Sequence, residues 1–361
     1  MAMTAKKAGN MQKSIDQKTQ LHERLWHKPT EAKRLVTFGF PSTIPAFDMR
    51  EIFNNPAKSL DYQMRRLAKV LETEDDSIPM IRVEVGTGLP ASAFGAELEF
   101  RTDNMPAVKT HPIATEHDLE KLLKIDLSNK GFFGQAYKLI DYFKKNKPDW
   151  VRLCQCDMQG PWNTAQLLMG DKIFYDIYDN IKLVCTLLDA VTDFMIRTIP
   201  DMKAKIGEEW NYFYLQGTKI PGASRLVNCS TDMISDDFYY QCLLERDSRF
   251  FEAMGGGMMH ICGNNSHCIK HFNTITKLRG LEINFNYLDV FTVSKMLRED
   301  IVLICTGPVE YPLLTPLGEN TLGRFCKGEF PGKKNILFHF DDPADLEKCK
   351  KLGAAVRQSN R

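Results

Sequence analysis

Eight short runs of apolar residues recur along the chain, and most are followed by a stretch with helical spacing. They fall at residues 34–40, 79–86, 150–158, 225–230, 258–262, 281–287, 301–305 and 335–339. Runs of this length that are bounded by turn residues are typical of buried strands. Strands that alternate with helices predict a parallel sheet, and eight of them favour an α/β fold of the (β/α)8 TIM-barrel type.

The order of these segments also predicts the domain organisation. Residues 1–30 are polar and are expected to form a tail and one helix, and residues 31–361 a single barrel domain. The alternative is a doubly wound open sheet, but no G-x-G-x-x-G pattern follows a predicted strand. A long stretch, 87–128, is rich in Gly and Pro and is expected to be irregular and to form the rim of a pocket. Residues 210–215 fit either a strand or a helix end.

Charge and hydropathy narrow the classes of partner. Lys and Arg number 47 against 46 Asp and Glu, for a formal charge of +1, so no nucleic-acid partner is expected. No apolar run approaches about 18 residues, so no membrane span is expected either. The polar N-terminus lacks the apolar segment of a signal peptide, and a cytoplasmic location is therefore expected.

The fifth predicted strand carries the most informative pair of residues. His260 and Cys262 stand two apart near its carboxyl end, and side chains two apart on a strand point to the same face. An imidazole and a thiolate are common zinc ligands. The alternative is a buried histidine and a buried free cysteine, both of which are frequent in protein cores.

The active sites of such barrels lie at the carboxyl ends of the strands. Because strand eight faces strand five across the mouth, His339 is predicted to complete a three-ligand zinc site with an open fourth position. Trp162 could instead be a packing residue, and Glu84 and Asp232 could be capping or ion-paired carboxylates. The polar and aromatic candidates at these strand ends are Glu84, Trp162, Asp232, Asn264, Asn286, Tyr287 and His339.

Several segments together resemble one family. Met259–Asn264, MHICGN, resembles the HxCGN signature of the uroporphyrinogen decarboxylase superfamily, which also contains zinc-dependent corrinoid methyltransferases. The resemblance covers roughly residues 30–358 and implies a (β/α)8 barrel. Four further segments resemble the family in the same order: 160–170, 232–238, 306–310 and 338–343.

The methyltransferase branch is the closer match. Its members bind zinc through His-x-Cys and a cysteine at the strand-eight position, so the resemblance implies zinc on His260 and Cys262, with His339 in place of the third cysteine. The decarboxylase branch has an arginine-rich segment near its N-terminus, whereas residues 39–47 here contain no arginine. A substrate with many carboxylates would therefore lack its cationic partners.

The resemblance implies a methyltransferase that moves a methyl group between a small methylated substrate or thiol and a corrinoid (cobalamin). No D-x-H-x-x-G pattern occurs in the chain, so the corrinoid is expected to come from solution or from a separate corrinoid protein. Asp232 and His339 are the expected catalytic residues, and the expected pocket residues are Glu84, Trp162, Asn264, Asn286 and Tyr287. The alternatives are a metal-free decarboxylase and a barrel that binds without catalysis.

Overall fold

The computed structural model describes residues 5–27, 31–39, 48–100, 104–309, 313–332, 334–341 and 345–359. The barrel strands are β1 Arg34–Gly39, β2 Met80–Arg82, β3 Arg152–Cys154, β4 Ser224–Val227, β5 Gly257–Ile261, β6 Leu278–Asn284, β7 Val302–Pro308 and β8 Ile336–Asp341. Six of them form a continuous parallel sheet in the order β1-β8-β7-β6-β5-β4, and β2 pairs with β3 in parallel. Together with the alternating helices, these strands form the predicted (β/α)8 barrel.

Helices surround this barrel. The segment after β4 begins as a short α-helix, continues through the π-helical segment Tyr239–Leu243 and ends as a second α-helix. Within the described ranges, no helix has the length and apolar character needed to cross a membrane. The α-helices are α1 Ala5–His27, α2 Met49–Asn54, α3 Pro56–Glu72, α4 Leu89–Ala93, α5 Glu116–Leu123, α6 Phe133–Asn146, α7 Pro161–Met169, α8 Ile173–Asp179, α9 Ile181–Ile206, α10 Asp236–Phe238, α11 Leu244–Ala253, α12 Ile269–Phe272, α13 Val290–Met296, α14 Pro316–Cys326 and α15 Leu346–Gln358.

Side chains bridge the two places where the barrel sheet is interrupted. Between β1 and β2, the Asp75 carboxylate accepts the Phe38 N–H and the Asp76 carboxylate accepts the Val36 N–H, both at 2.9 Å. Between β3 and β4, the Gln155 amide donates to the Ala223 carbonyl at 2.6 Å. Buried backbone groups need hydrogen-bond partners, and these side chains supply them where no neighbouring strand does.

A β-hairpin closes the amino-terminal end of the barrel. Its strands are Tyr212–Leu215 and Thr218–Pro221, so the stretch that the sequence left undecided is a strand. Gln216 and Gly217 have φ values of 48° and 78°, as in the two-residue type I′ turn that matches strand twist. The hairpin packs its apolar side chains against the strand residues of the barrel floor. Access to the barrel interior is therefore from the opposite, carboxyl-terminal end.

The stretch that follows β2 is more ordered than the sequence suggests. It contains α4, α5 and a two-stranded hairpin formed by Leu98–Glu99 and Ala107–Val108, so the expectation of an irregular segment is wrong here. Leu89 and Phe94 are fully buried, and the Phe94 ring packs edge-on against Phe194 at 5.3 Å. These two apolar residues belong to the core and do not form an open rim.

Candidate metal centre

Three side chains that can bind a metal meet at the carboxyl ends of β4 and β5. His260 lies on β5 and Cys262 directly follows it, while Cys229 begins the 3-10 turn Cys229–Met233 after β4. Val227 pairs with His260 in the sheet register, which brings the residues after both strands to the same level. One ligand atom from each of Cys229, His260 and Cys262 lies within 4.8 Å of the others.

The two thiols of this group differ sharply in acidity. The hydrogen bond from the Cys229 thiol lowers the pKa of Cys262 most; burial opposes it, and the nearby His260 lowers it further, to about 5. The same hydrogen bond, together with burial, raises the pKa of Cys229. Cys262 is therefore a thiolate at neutral pH, and a thiolate is both the nucleophilic and the metal-binding form of cysteine.

His260 is held by a buried carboxylate. Glu282 faces His260 in the β5–β6 register, and its Oε2 lies 2.8 Å from His260 Nδ1. Burial disfavours the charged imidazolium, but Glu282 and Cys262 outweigh burial and raise the pKa of His260 to about 9. Burial likewise opposes ionisation of Glu282, yet His260 holds the pKa of that carboxyl at about 2. With Nδ1 facing Glu282, Nε2 is the ring atom available to a metal.

Glu282 is itself fixed by polar neighbours inside the barrel. Gln216, from the turn of the closing hairpin, donates to Glu282 Oε1 at 3.0 Å. Arg225 Nη1 lies 3.8 Å from Glu282 Oε2, and Arg225 Nη2 donates to Asp157 Oδ1 at 3.0 Å. Although burial raises the pKa of Asp157, the charges of Arg225 and Arg82, together with the hydrogen bond from Arg225, offset it and lower the pKa overall. Arg225 thus lies between the carboxylates of Glu282 and Asp157, and these paired charges fix Glu282 beside the His260 imidazole.

His339 lies elsewhere in the barrel. Its Nδ1 is 2.8 Å from the Thr37 hydroxyl, and its Nε2 is 3.3 Å from Asp341 Oδ1. Burial opposes protonation, but Asp341 raises the pKa of the imidazole. Within the part of the chain that the structure describes, His339 is not in the group formed by Cys229 and the β5 residues. Its roles as metal ligand and catalytic residue remain predictions.

A cavity of about 280 Å³ occupies the barrel interior and includes Arg82, Glu84, Arg225, His339 and Asp341 in its lining. Glu84 accepts two hydrogen bonds from Arg82, at 2.7 and 3.1 Å. The carboxylate is therefore ion-paired within the cavity wall, and contact with a substrate remains a prediction. Arg225 joins this cavity to Glu282 and so to the metal-binding group.

Two predicted residues belong to the turns beside the cysteines. Asp232 lies in the same 3-10 turn as Cys229, and a Cβ placed on Gly263 would come within 2.0 Å of its Oδ2. The carboxylate therefore sits against the backbone directly after Cys262. Asn264 is exposed, and its side-chain oxygen accepts the Ser266 N–H at 3.3 Å. Asp232 is thus placed for a role at the mouth, and the substrate-binding role of Asn264 stays a prediction.

The three remaining pocket candidates differ in exposure. Trp162 is fully buried, packs edge-on against Phe238 at 5.4 Å, and donates from Nε1 to the Ser230 carbonyl at 3.1 Å. Trp162 therefore packs behind the turn that contains Cys229 and supports this turn. Asn286 is buried and donates to the Leu313 carbonyl at 2.8 Å, which fixes the chain after β7. Tyr287 is half exposed. Their contacts with substrate remain predictions.

Sequence reasoning missed Cys229 and Glu282. Cys229 directly precedes the residues that the strand-end rule selects after β4, so the same rule would have included it. Glu282 is a single acidic residue within an apolar strand, and a buried carboxylate is costly unless it is paired. The free-energy cost of burying an unpaired carboxylate was therefore the sequence signal that could have identified Glu282. Residues 40–47, Glu310, Asp342 and Pro343, which belong to the compared segments, lie outside the described residues.

The chain matches one protein-family model and is similar to proteins of known activity. A family model described as uroporphyrinogen decarboxylase (URO-D) matches residues 75–205. The chain is 22% identical over 301 residues to a methylcobamide:CoM methyltransferase MtbA of Methanosarcina acetivorans, covering 81% of this chain and 83% of the relative. It is 23% identical over 259 residues to the MtbA of Methanosarcina mazei, covering 69% and 71%.

A solved structure extends the comparison to the fold. A methyltransferase from Methanosarcina mazei superposes with a TM-score of 0.66 at 19% identity, covering 94% of this chain and 98% of the other. This match confirms the predicted barrel, and the two MtbA relatives confirm the predicted enzyme class, a methyltransferase. The resemblance first indicated by His260, Cys262 and Asn264 is thus confirmed: the chain folds as a (β/α)8 barrel and is similar to the uroporphyrinogen decarboxylase family model and to the two MtbA methyltransferases.

Proposed function

We propose that this chain moves a methyl group between a corrinoid and a small methylated substrate or thiol, assisted by zinc at Cys229, His260 and Cys262. The observation that carries the proposal is the meeting of two thiols and an imidazole at the open end of the barrel, with ligand atoms within 4.8 Å of one another. The names of the MtbA relatives, which specify a methylcobamide and CoM, support the corrinoid and a small thiol.

The chemistry of the donor set fits zinc. Cysteine sulfur and histidine nitrogen are its usual ligands, and three protein ligands leave a fourth position for substrate. Cys262 is already ionised at neutral pH because Cys229 and His260 stabilise its thiolate. Glu282 orients the imidazole from behind, as carboxylates commonly do for metal-bound histidines. His339, the third ligand predicted from the sequence, is the competing assignment to Cys229.

Zinc, when bound, supplies Lewis-acid chemistry that acidifies a thiol or polarises a methylated oxygen or nitrogen. The side chains do the positioning: Glu282 and Arg225 fix the imidazole, and Asp232 stands at the rim beside the turn after Cys262. A cavity of about 280 Å³ suits a small substrate. A corrin ring is much larger and would approach from outside, in solution or on a separate protein.

The charges of the cavity favour methyl transfer over the decarboxylase alternative. Arg82 is paired with Glu84, and Arg225 with Asp157, so these two guanidinium groups are already neutralised. A porphyrinogen-like substrate with several carboxylates would have to break those pairs. A small neutral or thiol substrate would not.

Metal content and cobalt spectroscopy test the proposal together. Protein purified without added metal, or resupplied with zinc, is expected to hold about one zinc per chain. Metal-loaded protein is then mixed with reduced or methylated cobalamin and with thiols, methoxyaromatics or methylamines, and at least one combination should change the cobalt spectrum. A folded Cys262→Ala variant is the matched control and should lose both the metal and the spectral change.

Two results would contradict the proposed methyl transfer. No spectral change in any substrate class, from folded and metal-loaded protein with both cobalt states, would contradict methyl transfer. Release of carbon dioxide from a carboxylated candidate would instead establish the decarboxylase alternative.

A further inference from the structure

A second pair of cysteines lies away from the metal centre. Cys185 is on α9 and Cys242 is in the π-helical segment Tyr239–Leu243, and their Sγ atoms are 3.9 Å apart. They stand 57 residues apart in the sequence. Neither side chain belongs to the group at Cys229, His260 and Cys262 or lines the barrel cavity. The fold therefore brings two thiols together where the proposed methyl transfer does not use them.

The backbone around this pair is held in register by one guanidinium group. Arg246 donates through Nη1 to the Cys242 carbonyl and through Nη2 to the Cys185 carbonyl, the latter at 3.2 Å. Its Nη2 also lies 2.6 Å from Asp189 Oδ2. Because one side chain bonds to both cysteine carbonyls, α9 and the helix after β4 cannot slide past each other without breaking these contacts. The closeness of the two sulfurs is thus a fixed feature of the interface.

We propose that Cys185 and Cys242 form a reversible disulfide, a modification site that joins α9 to the segment after β4. A disulfide needs its sulfurs at about 2.05 Å, so they must approach by roughly half of their present separation. Cys242 lies in the π-helical segment, whose backbone departs from the regular α-helical ladder.

Cys185 and Cys242 differ in solvent exposure, and this difference determines which thiol reacts first with an oxidant. Cys185 is half-buried, whereas Cys242 is 7% exposed. Burial raises the pKa of Cys242 to about 11, so it ionises less readily than an ordinary thiol. Cys185 is therefore the thiol that meets an oxidant from solution, and Cys242 is the resolving thiol.

The chemistry balances with a hydroperoxide as oxidant. The Cys185 thiolate attacks the peroxide oxygen, which forms a sulfenic acid and releases water when the oxidant is hydrogen peroxide. The Cys242 sulfur then attacks the sulfenic sulfur, the S–S bond forms, the S–O bond breaks, and a second water leaves. In total two thiols lose two electrons and two protons, and the O–O bond is cleaved. A small thiol such as dithiothreitol reverses the step by exchange.

Peptide mapping of the full chain, after incubation with zinc, tests the proposal. After treatment with hydrogen peroxide and blocking of free thiols, digestion without reductant should yield one crosslinked peptide containing Cys185 and Cys242. The oxidised protein should also melt at a higher temperature, because the crosslink closes a long loop in the unfolded chain. Dithiothreitol should abolish both the crosslink and the rise in Tm.

Variants separate this pair from the other cysteines. Cys185→Ser and Cys242→Ala should each abolish the crosslinked peptide and the rise in Tm. If Cys242→Ala folds poorly, Cys185→Ser still tests the proposal, because Cys185 is the more accessible residue. Cys326→Ser, which removes an exposed thiol on α14, should leave both intact. A crosslink that joins Cys229 to Cys262 with none between Cys185 and Cys242, or oxidation of Cys185 to sulfinic acid with no crosslink, would overturn the proposal.

Discussion

Oε2 of Glu282 lies 2.8 Å from Nδ1 of His260, and the two residues face each other in the register of neighbouring strands β5 and β6. Glu282 is fully buried, and Gln216 and Arg225 hold it from the other sides. The geometry leaves only the far ring nitrogen of His260 for a metal. A single buried carboxylate thus sets the orientation of the residue on which the proposed zinc site depends.

The first prediction concerns this carboxylate. Glu282→Gln keeps the volume but removes the charge that orients His260, so zinc affinity should fall by about 10- to 100-fold. Competition with a chromophoric chelator measures the affinity directly and needs no enzyme assay. Glu329→Gln, which neutralises an exposed carboxylate paired with Arg324, is the matched control and should bind zinc normally. Equal affinity in both variants would show that Glu282 does not position the ligand.

The second prediction concerns the acidity of Cys262 in metal-free protein. Because its pKa is about 5, the thiolate should remain the main form as the pH falls from 8 to 6. Alkylation by iodoacetamide, followed by peptide mass spectrometry, should proceed at a nearly constant rate over that range. A model peptide thiol, with a pKa of about 8.5, should slow by roughly tenfold per pH unit below its pKa. Cys229→Ala should shift the Cys262 profile upward in pH, since it removes the hydrogen bond that stabilises the thiolate.

A third prediction separates two candidates for the third metal ligand. Cys229 lies with His260 and Cys262, whereas both ring nitrogens of His339 face Thr37 and Asp341. We expect Cys229→Ala to lose most of its zinc and His339→Ala to keep it, as measured by elemental analysis after dialysis. The reverse result would restore the ligand set that the resemblance implies and would leave Cys229 as a hydrogen-bond donor to Cys262.

The strands were predictable from the sequence because each is a local apolar run. The hydrogen bonds across the two interruptions of the barrel sheet were not predictable. Asp75, Asp76 and Gln155 make them with backbone groups distant in sequence, and no local pattern marks such contacts. The His260–Cys262 pair was predictable because alternation along one strand places both on one face. The approach of Cys229 depends on the register between β4 and β5, and periodicity within a single strand does not fix that register.

His339 illustrates a different limit of sequence reasoning. Its position on β8 was predicted correctly, but the partners of its ring depend on which side chains the neighbouring strands present. Thr37 on β1 is paired with His339 in the register, and its hydroxyl bonds to Nδ1. The sequence shows that a histidine stands at the mouth, whereas only the folded chain shows what the imidazole contacts.

A fourth prediction links buried Asp247 to the pH dependence of stability. Burial raises the pKa of this carboxyl to about 7, although Tyr239 and Asn228 both donate hydrogen bonds to Oδ2. The unfolded chain releases this proton near pH 4, so between about pH 4 and 7 the folded state binds the extra proton and stability falls as pH rises. By linkage, the loss approaches about 4 kcal/mol.

Asp247→Asn mimics the protonated carboxyl and should remove this dependence. Urea unfolding at pH 5 and pH 8 should show a smaller drop in the free energy of unfolding for the variant than for the wild type. Glu347→Gln, on the exposed first turn of α15, should leave the drop unchanged. If Asp247→Asn retains the full drop, Asp247 is ionised in the folded protein and another group causes the pH dependence.

The last prediction uses a glycine to test Asp232 without changing it. A Cβ on Gly263 would lie 2.0 Å from Asp232 Oδ2 and 2.6 Å from its Cγ, so in Gly263→Ala the carboxylate must move. Asp232 is exposed, so a displaced carboxylate can turn into solvent and the fold should survive with a Tm close to that of the wild type. If the position of this carboxylate matters for methyl transfer, kcat should fall while zinc content stays unchanged.

A double-mutant cycle makes the result specific to Asp232. When Asp232→Ala is already present, adding Gly263→Ala should cost little more, because the displaced group is gone, and the two effects should be clearly non-additive. Gly323→Ala is the matched control: a Cβ there meets nothing within 4 Å, and alanine in a helix should stabilise α14 by about 1 kcal/mol without altering kcat. Additive effects of Gly263→Ala and Asp232→Ala would instead mean that the glycine acts through the backbone after Cys262 and not through Asp232. An unchanged kcat in Asp232→Ala would remove the proposed catalytic role of this carboxylate.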